Sequence, residues 1–268
     1  MPRAAVLGQP IDHSLSPVLH NAGYAALGLE DWDYTRFEVT AASLPRFLEE
    51  APADFRGFSV TMPGKFAALS CATERTARAE LIGSANTLVR AESGWRADNT
   101  DTEGVAGALA ALMGEKTARH ALLIGSGGTA RPALWALAQR GITDVTVLNR
   151  SDRLAELAPL ADALGLKLYR ATFDDDLAAL AREADLIVST VPSAALDGHL
   201  FDLAHAPVLD VIYDPWPTPL VSHAAANGYA TVGGHVMLAN QAYSQFEQFT
   251  GYPAPQAAMR AALDAALS

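Results

Sequence analysis

Ala121-Leu122-Leu123-Ile124-Gly125-Ser126-Gly127-Gly128-Thr129-Ala130-Arg131 is the stretch whose reading decides the fold of this chain. Four apolar residues run straight into a glycine-rich turn. A second apolar pattern then follows through Ala133, Leu134, Ala136, Leu137 and Ala138. That order predicts a buried strand, a tight turn and a helix. Such a turn aims the helix N-terminus, with its unpaired backbone N–H groups and positive dipole end, at whatever lies above the strand. An anion is the natural occupant. The glycines fit the G-x-G-x-x-G/A pattern of a dinucleotide-binding turn, with Ala130 in the last place.

The strand expected next, Asp144 to Leu148, lies at the distance of the second strand of a dinucleotide fold. Proteins that choose NAD place an acidic residue at its end, to accept from the ribose 2′-hydroxyl. This chain reads Asn149-Arg150-Ser151-Asp152-Arg153 there. Guanidinium groups form paired hydrogen bonds to phosphate oxygens, so the loop favours NADP over NAD. Asp152 opposes that charge from one residue past the usual turn position.

Composition sets the outer limits. The 268 residues allow two domains of ordinary size, and half are hydrophobic, so core material is ample. The net charge of -11 argues against nucleic acid or an anionic membrane as partner. A small anionic substrate stays compatible, because a pocket can be locally positive. Cys71 is the one cysteine, which permits no internal disulfide and fits a reducing cytoplasm. The N-terminus shows no signal-peptide apolar region, and no apolar run reaches membrane-helix length.

Ahead of the glycine turn, Ala4 to Leu7 reads as a strand ending in a polar loop, Gln9 to Pro17. Ser16 followed by Pro17 predicts a helix start, with Ser16 as N-cap. Trp32 to Val39 alternates as a strand, and Ser43 to Glu50 reads as a short helix. Thr61 and Lys65 then follow an apolar strand, where a partly parallel sheet carries active residues. Lysine occurs three times, at 65, 116 and 167. Lys65 alone stands in a turn opening onto a helix, where a cation is electrostatically disfavoured. Asn86 falls in the next expected strand, Ser84 to Arg90, with Trp95 to Asp98 as its hairpin partner. Thr100 or Asp101 is placed to cap a helix over Val105 to Met113. A carboxylate at 101 facing Lys65 would steady its ammonium.

Beyond the second cofactor strand, helices are expected over 153–164 and 174–182 and strands over 166–169, 185–189, 207–213 and 229–232. The strand ending at Ser189 lies beside the first in a doubly wound sheet, which puts Thr190 near a bound nicotinamide. Two helices, 235–250 and 255–267, close the chain, and Gln241 sits on the flank of the first.

These segments resemble the shikimate dehydrogenase family, in order and spacing, along essentially the whole chain. The matching blocks are Ser14-Leu15-Ser16-Pro17-Val18-Leu19-His20-Asn21, Ser59-Val60-Thr61-Met62-Pro63-Gly64-Lys65, Gly83-Ser84-Ala85-Asn86-Thr87 and Asp98-Asn99-Thr100-Asp101-Thr102-Glu103-Gly104. They continue with Gly125 to Ala130, Asn149-Arg150-Ser151, Tyr213-Asp214-Pro215 with Thr218-Pro219-Leu220, and Gly234-His235-Val236-Met237-Leu238 with Gln241-Ala242. The resemblance implies an α/β protein of two domains with the active cleft between them. A mixed-sheet substrate domain would span 1–103, completed by 235–268. A doubly wound Rossmann-type NADP domain would span 104–234. The implied reaction is the reversible NADPH-dependent reduction of 3-dehydroshikimate to shikimate, on the route to chorismate and the aromatic amino acids. Family members occur as monomers and as dimers, so a homodimer is one of the two assemblies expected.

The resemblance also implies residue roles. Lys65 and Asp101 are the catalytic pair. Ser14 and Ser16, with Tyr213, bind the substrate carboxylate; Thr61, Asn86, Asp101 and Gln241 meet the ring hydroxyls. Gly125, Ser126, Gly127, Gly128, Thr129 and Ala130 hold the pyrophosphate. Asn149, Arg150, Ser151 and Arg153 hold the adenosine 2′-phosphate, and Thr190, Ile212, Gly234 and Met237 border the nicotinamide. No metal belongs to this set. Two loops depart from the family pattern: in the adenosine loop Ser151 replaces a threonine and Arg153 comes two residues later instead of three. Ser126 and Thr129 also stand where alanines are frequent. Quinate or aminoshikimate relatives of the same superfamily, or a non-catalytic NADP sensor, are the alternatives. Arg150 counts against NAD-preferring quinate enzymes, Ser14 and Ser16 favour shikimate, and the presence of both Lys65 and Asp101 counts against a sensor.

Overall fold

The computed structural model describes residues 1–267. Within them the chain separates into two compact units, Met1–Asp101 with the segment from Leu238 onward, and Thr102–Met237. Each has its own sheet, and among the described residues each sheet has six strands.

The first unit opens with β1 (Arg3–Gly8), α1 (Ser16–Ala26), β2 (Asp33–Glu38), α2 (Leu44–Glu50) and β3 (Phe55–Val60). It continues with α3 (Lys65–Cys71), β4 (Glu74–Arg75), α4 (Ala77–Ile82), β5 (Thr87–Ala91) and β6 (Gly94–Asp98). The strand order is β2-β1-β3-β5-β6-β4. β1 pairs parallel with β2 and β3, whereas β5 runs antiparallel to both β3 and β6, so the sheet is mixed. Covering β1 on both faces buries five of its six residues, which is why it reads as a continuous apolar run.

The second unit contains α5 (Asp101–Met113), which begins at the unit boundary, then β7 (His120–Ile124), α6 (Ala130–Gln139), β8 (Asp144–Leu148), α7 (Leu154–Leu164) and β9 (Lys167–Ala171). Next come α8 (Leu177–Glu183), β10 (Leu186–Ser189), α9 (Leu200–Leu203), β11 (Val208–Asp210), α10 (Pro219–Ala226) and β12 (Thr231–Gly233). Every strand pair is parallel, in the order β12-β11-β10-β7-β8-β9. Counted within the unit this is 6-5-4-1-2-3, the doubly wound order, with the strand ending at Ser189 beside the strand that feeds the glycine turn. The unit boundary falls within α11 (Gly234–Thr250). Its later part and α12 (Gln256–Ala266) pack in the first unit, where Ala239, Ala242, Phe246, Phe249, Met259 and Leu263 share a core with Leu19 and Tyr24. Among the described residues no helix is long and apolar enough to cross a membrane.

Four local expectations change. Ser16 is the first helical residue and not the cap; Leu15 holds the N-cap position without a side-chain bond. The Ser16 N–H donates to Ser14 Oγ at 3.4 Å. Asn86 precedes β5 and lies outside it. The helix expected from Val105 begins at Asp101, so that carboxylate is inside the first turn. The strand expected over 207–213 ends at Asp210, because that side chain closes the turn itself. Its Oδ1 accepts from the Ile212 N–H at 3.2 Å and its Oδ2 from the Thr218 hydroxyl at 2.7 Å. Three short helices, α4, α9 and α10, were not expected from the sequence pattern.

Candidate active site

In the first unit the site grows from two strand ends. β3 stops at Val60, and the chain turns through Thr61 to Lys65, the first residue of α3. β6 stops at Asp98, and Asp101 opens α5. The two turns bring Lys65 Nζ within 2.5 Å of Asp101 Oδ2, with side chains only 14% and 6% exposed. So little exposure leaves the pair poorly screened by solvent, unlike a surface salt bridge.

Asn86 fixes the other carboxylate oxygen. Its Nδ2 donates to Asp101 Oδ1 at 2.9 Å and reaches Thr100 Oγ1 at 3.0 Å and Gln241 Oε1 at 3.4 Å. Its Oδ1 accepts from the Thr100 N–H at 2.7 Å and the Thr87 hydroxyl at 2.8 Å. Gln241 is buried, with Nε2 donating to Leu238 O at 2.9 Å. A helix-flank glutamine therefore belongs to the interior here.

A second line of buried polar groups extends the network. Gln245 Nε2 donates to Asn86 O at 3.1 Å and to Thr87 Oγ1 at 3.0 Å. Gln245 Oε1 accepts from Ser59 Oγ at 2.6 Å, and Ser59 Oγ accepts from the Tyr34 hydroxyl at 2.6 Å. At the start of α1 the Ser16 N–H donates to Ser14 Oγ at 3.4 Å. Sequence reasoning missed Tyr34, Ser59, Thr87, Thr100 and Gln245. The available signal was the i,i+4 spacing of Gln241 and Gln245 on a helix whose neighbouring positions are apolar. Thr61 lies just past β3, with its N–H on Leu7 O at 2.9 Å.

Asp98 anchors the β6 end. Burial pushes its carboxyl up, but Arg78, Thr76 and the Asn99 N–H outweigh that and hold it down at about 2. Arg78 grips it at 2.5 Å and Gln248 Nε2 at 2.8 Å. Behind the network the His20 ring lies 4.1 Å from the Tyr34 ring, nearly parallel, and burial pushes its imidazole down to about 3.

In the second unit β7 delivers Gly125 at φ +102, a conformation that favours glycine. A Cβ at Gly125 would also stand 2.6 Å from Thr190 Oγ1. A Cβ at Gly127 would meet no atom within 4 Å, so the space over the turn is open, and α6 starts three residues on. Backbone N–H groups at that helix start, the Ser126 hydroxyl and the nearby arginines are donors of the kind that could hold a phosphorylated dinucleotide. Asn149 Nδ2 donates to Ser126 Oγ at 2.6 Å, which ties the loop after β8 to the glycine turn. Arg150 and Ser151 are exposed beside it. Arg153 pairs with Glu156 at 2.7 Å, a bond that raises its already high pKa. Gly128, Thr129 and Ala130 complete the turn, and the Ala130 N–H returns to Gly127 O at 3.1 Å.

Of the residues expected around the nicotinamide, Thr190 follows β10, Ile212 lies two residues past β11, and Gly234 and Met237 lie in the first turn of α11. Thr190 Oγ1 donates to Ile124 O at 2.8 Å, and the Gly234 N–H donates to Ile212 O at 3.2 Å. Gly234 admits no side chain, since a Cβ would lie 2.0 Å from Val211 O. Met237 is buried in the core of this unit. Tyr213 belongs to the second unit, and Ser14 and Ser16 to the first.

Comparison with known proteins addresses the same segments. Residues 6–88 match the model of the shikimate dehydrogenase substrate binding domain, 108–196 that of shikimate/quinate 5-dehydrogenase, and 234–263 that of the shikimate 5′-dehydrogenase C-terminal domain. A shikimate dehydrogenase (NADP(+)) of Methylobacterium radiotolerans is 39% identical over 270 residues, covering 95% of this chain and 93% of that protein. The chain belongs to the shikimate dehydrogenase family. Among family structures, the Mycobacterium tuberculosis shikimate dehydrogenase is 51% identical, with a TM-score of 0.92 over 99% of this chain and 100% of that one. The Thermus thermophilus shikimate 5-dehydrogenase, solved in complex with NADP(H) and shikimate, is 33% identical with a TM-score of 0.81, and all of both chains is covered.

Proposed function

We propose that this chain catalyses the reversible, NADP-dependent reduction of 3-dehydroshikimate to shikimate, with Lys65 as the proton-transferring group. The observation that carries the residue assignment is the largely buried Lys65–Asp101 pair, clamped through Asn86. NADPH, when bound, supplies the hydride that adds to the substrate carbonyl carbon. The carbonyl oxygen then needs a proton, and the Lys65 ammonium gives it; in the reverse direction the Lys65 amine takes the hydroxyl proton. Asp101 holds the ammonium in place and accepts from the same hydroxyl region. Lys65 keeps a little exposure, 14%, through which it can re-equilibrate with solvent between turnovers.

The remaining roles follow the donor chemistry. Ser14 and Ser16 offer hydroxyl and backbone donors to the substrate carboxylate, together with Tyr213. Thr61, Asn86 and Gln241 select the ring hydroxyls. Gly125 to Ala130 cradle the pyrophosphate, and Asn149, Arg150, Ser151 and Arg153 receive the 2′-phosphate. Thr190, Ile212, Gly234 and Met237 border the nicotinamide. The reading assigns substrate binding to 1–103 with 235–268 and NADP binding to 104–234. It includes a cytoplasmic location, supported by the single cysteine, and a homodimer as the assembly to test by light scattering.

The test is the initial rate of nicotinamide reduction with shikimate or quinate against NADP or NAD. A rate confined to shikimate with NADP is expected. A rate with quinate and NAD would overturn the specificity, and no rate in any pairing with NADP still bound would overturn the enzyme reading.

A further inference from the structure

We infer that Arg170, on the outermost strand of the parallel sheet, is a further determinant of NADP specificity, and that Asp152 restrains it until the cofactor binds. The inference rests on the proposed NADP binding by this unit. No sequence pattern pointed to Arg170. It lies on β9, in register with Val147 of β8, so it flanks the loop after β8 from the side opposite the glycine turn. There the structure has a pocket lined by Ser126, Asn149, Ser151, Asp152, Arg153 and Arg170. Ser126 and Asn149 tie that pocket to the pyrophosphate turn. A phosphate on the adenosine ribose held there would meet arginine from the loop and arginine from the neighbouring strand.

The two cations are engaged in this structure. Arg170 Nε lies 3.5 Å from Asp152 Oδ2, and Arg153 Nη2 lies 2.7 Å from Glu156 Oε2. Both pairs are about half exposed, so each is weakly held. A phosphate dianion offers a guanidinium more charge and two oxygens in fork geometry, and it displaces such a partner. Asp152 thereby has a role: it occupies Arg170 without the ligand and competes with the 2′-phosphate. NAD brings no phosphate to that place and gains nothing from Arg170.

The test is calorimetric titration of the full chain with NADP and with NAD, for the wild type, Arg170→Gln and Asp152→Asn. Thermal unfolding of all three should coincide, because both side chains are exposed. Arg170→Gln is expected to raise the NADP dissociation constant roughly tenfold and leave that of NAD unchanged. Asp152→Asn is expected to tighten NADP several-fold, again without effect on NAD. In Arg170→Gln the NADP affinity should also depend less steeply on salt. Equal weakening of NADP and NAD would mean that Arg170 packs on the adenosine, which overturns the phosphate role. An unchanged NADP constant in Arg170→Gln, with the wild type still preferring NADP, would overturn the inference alone. A wild type that binds NADP no better than NAD would overturn the NADP reading together with it.

Discussion

Lys65 Nζ and Asp101 Oδ2 are 2.5 Å apart, and Asn86 Nδ2 holds the other oxygen of the same carboxylate. Asp101→Asn keeps the shape of that arrangement and removes its charge. The ammonium then loses the anion that holds it, and one amide faces another. Turnover with shikimate and NADP should fall about a hundredfold or more, within the usual range of acid–base contributions. NADP affinity should not change, since the residues proposed to receive it lie in the other unit. Steady-state kinetics and calorimetry on the same preparation check both halves.

Gln245 supports the pair from a distance. Its amide serves the Ser59 hydroxyl, the Asn86 carbonyl and the Thr87 hydroxyl at once. Gln245→Leu leaves these buried groups short of partners, at roughly 1–3 kcal/mol for each one left unsatisfied. Urea denaturation should show a loss of at least about 2 kcal/mol. Turnover should fall as Asn86 loosens, with NADP affinity retained.

His20 makes stability depend on pH. Its folded-state pKa of about 3 lies below the ordinary value of 6.5, because burial disfavours the charged imidazole. Between those values the unfolded chain binds a proton that the folded chain does not. The stabilising difference is complete above about pH 6.5 and shrinks as pH falls toward 3. Asp98 contributes a separate loss only below 3.8, as pH approaches 2. Melting temperatures should therefore decline from pH 7 to pH 4 in the wild type. His20→Phe, which preserves a ring against Tyr34, should flatten that decline.

Gly125 tests the cofactor turn. At φ +102, with Thr190 Oγ1 2.6 Å from the position of a Cβ, alanine is both strained and crowded. Gly125→Ala should lose about 1–3 kcal/mol of stability and weaken NADP binding. The equivalent change at Gly127, where the Cβ meets open space, should leave stability nearly intact and weaken NADP alone.

The elements read most directly from sequence are those whose local signal and tertiary burden coincide. β7 ends in four apolar residues before a glycine turn, and all four are buried. β8 keeps its expected ends, Asp144 and Leu148. β11 ran short because the Asp210 side chain closes the turn, an interaction between residues eight apart that periodicity cannot register. Gln245 and Ser59 lie 186 positions apart and became partners only through the packing of α11 in the first unit. Ser16 opens α1 one position later in the helix than a cap would stand, because Leu15 takes the N-cap place. Arg170 carried no motif, and only the register of β9 against β8 brings it to the arginine loop. Local chemistry reveals itself in a sequence; polar side chains recruited from distant elements do not.

The most direct test of the central claim is single-turnover reduction of 3-dehydroshikimate by Lys65→Ala, with NADPH pre-bound and its dissociation constant measured separately. The account predicts a fall in the rate of the chemical step of about a hundred- to ten-thousand-fold. It also predicts unchanged NADPH affinity and a melting temperature close to the wild type. A variant that turns over at nearly the wild-type rate, or loses rate only in proportion to lost stability, would contradict it.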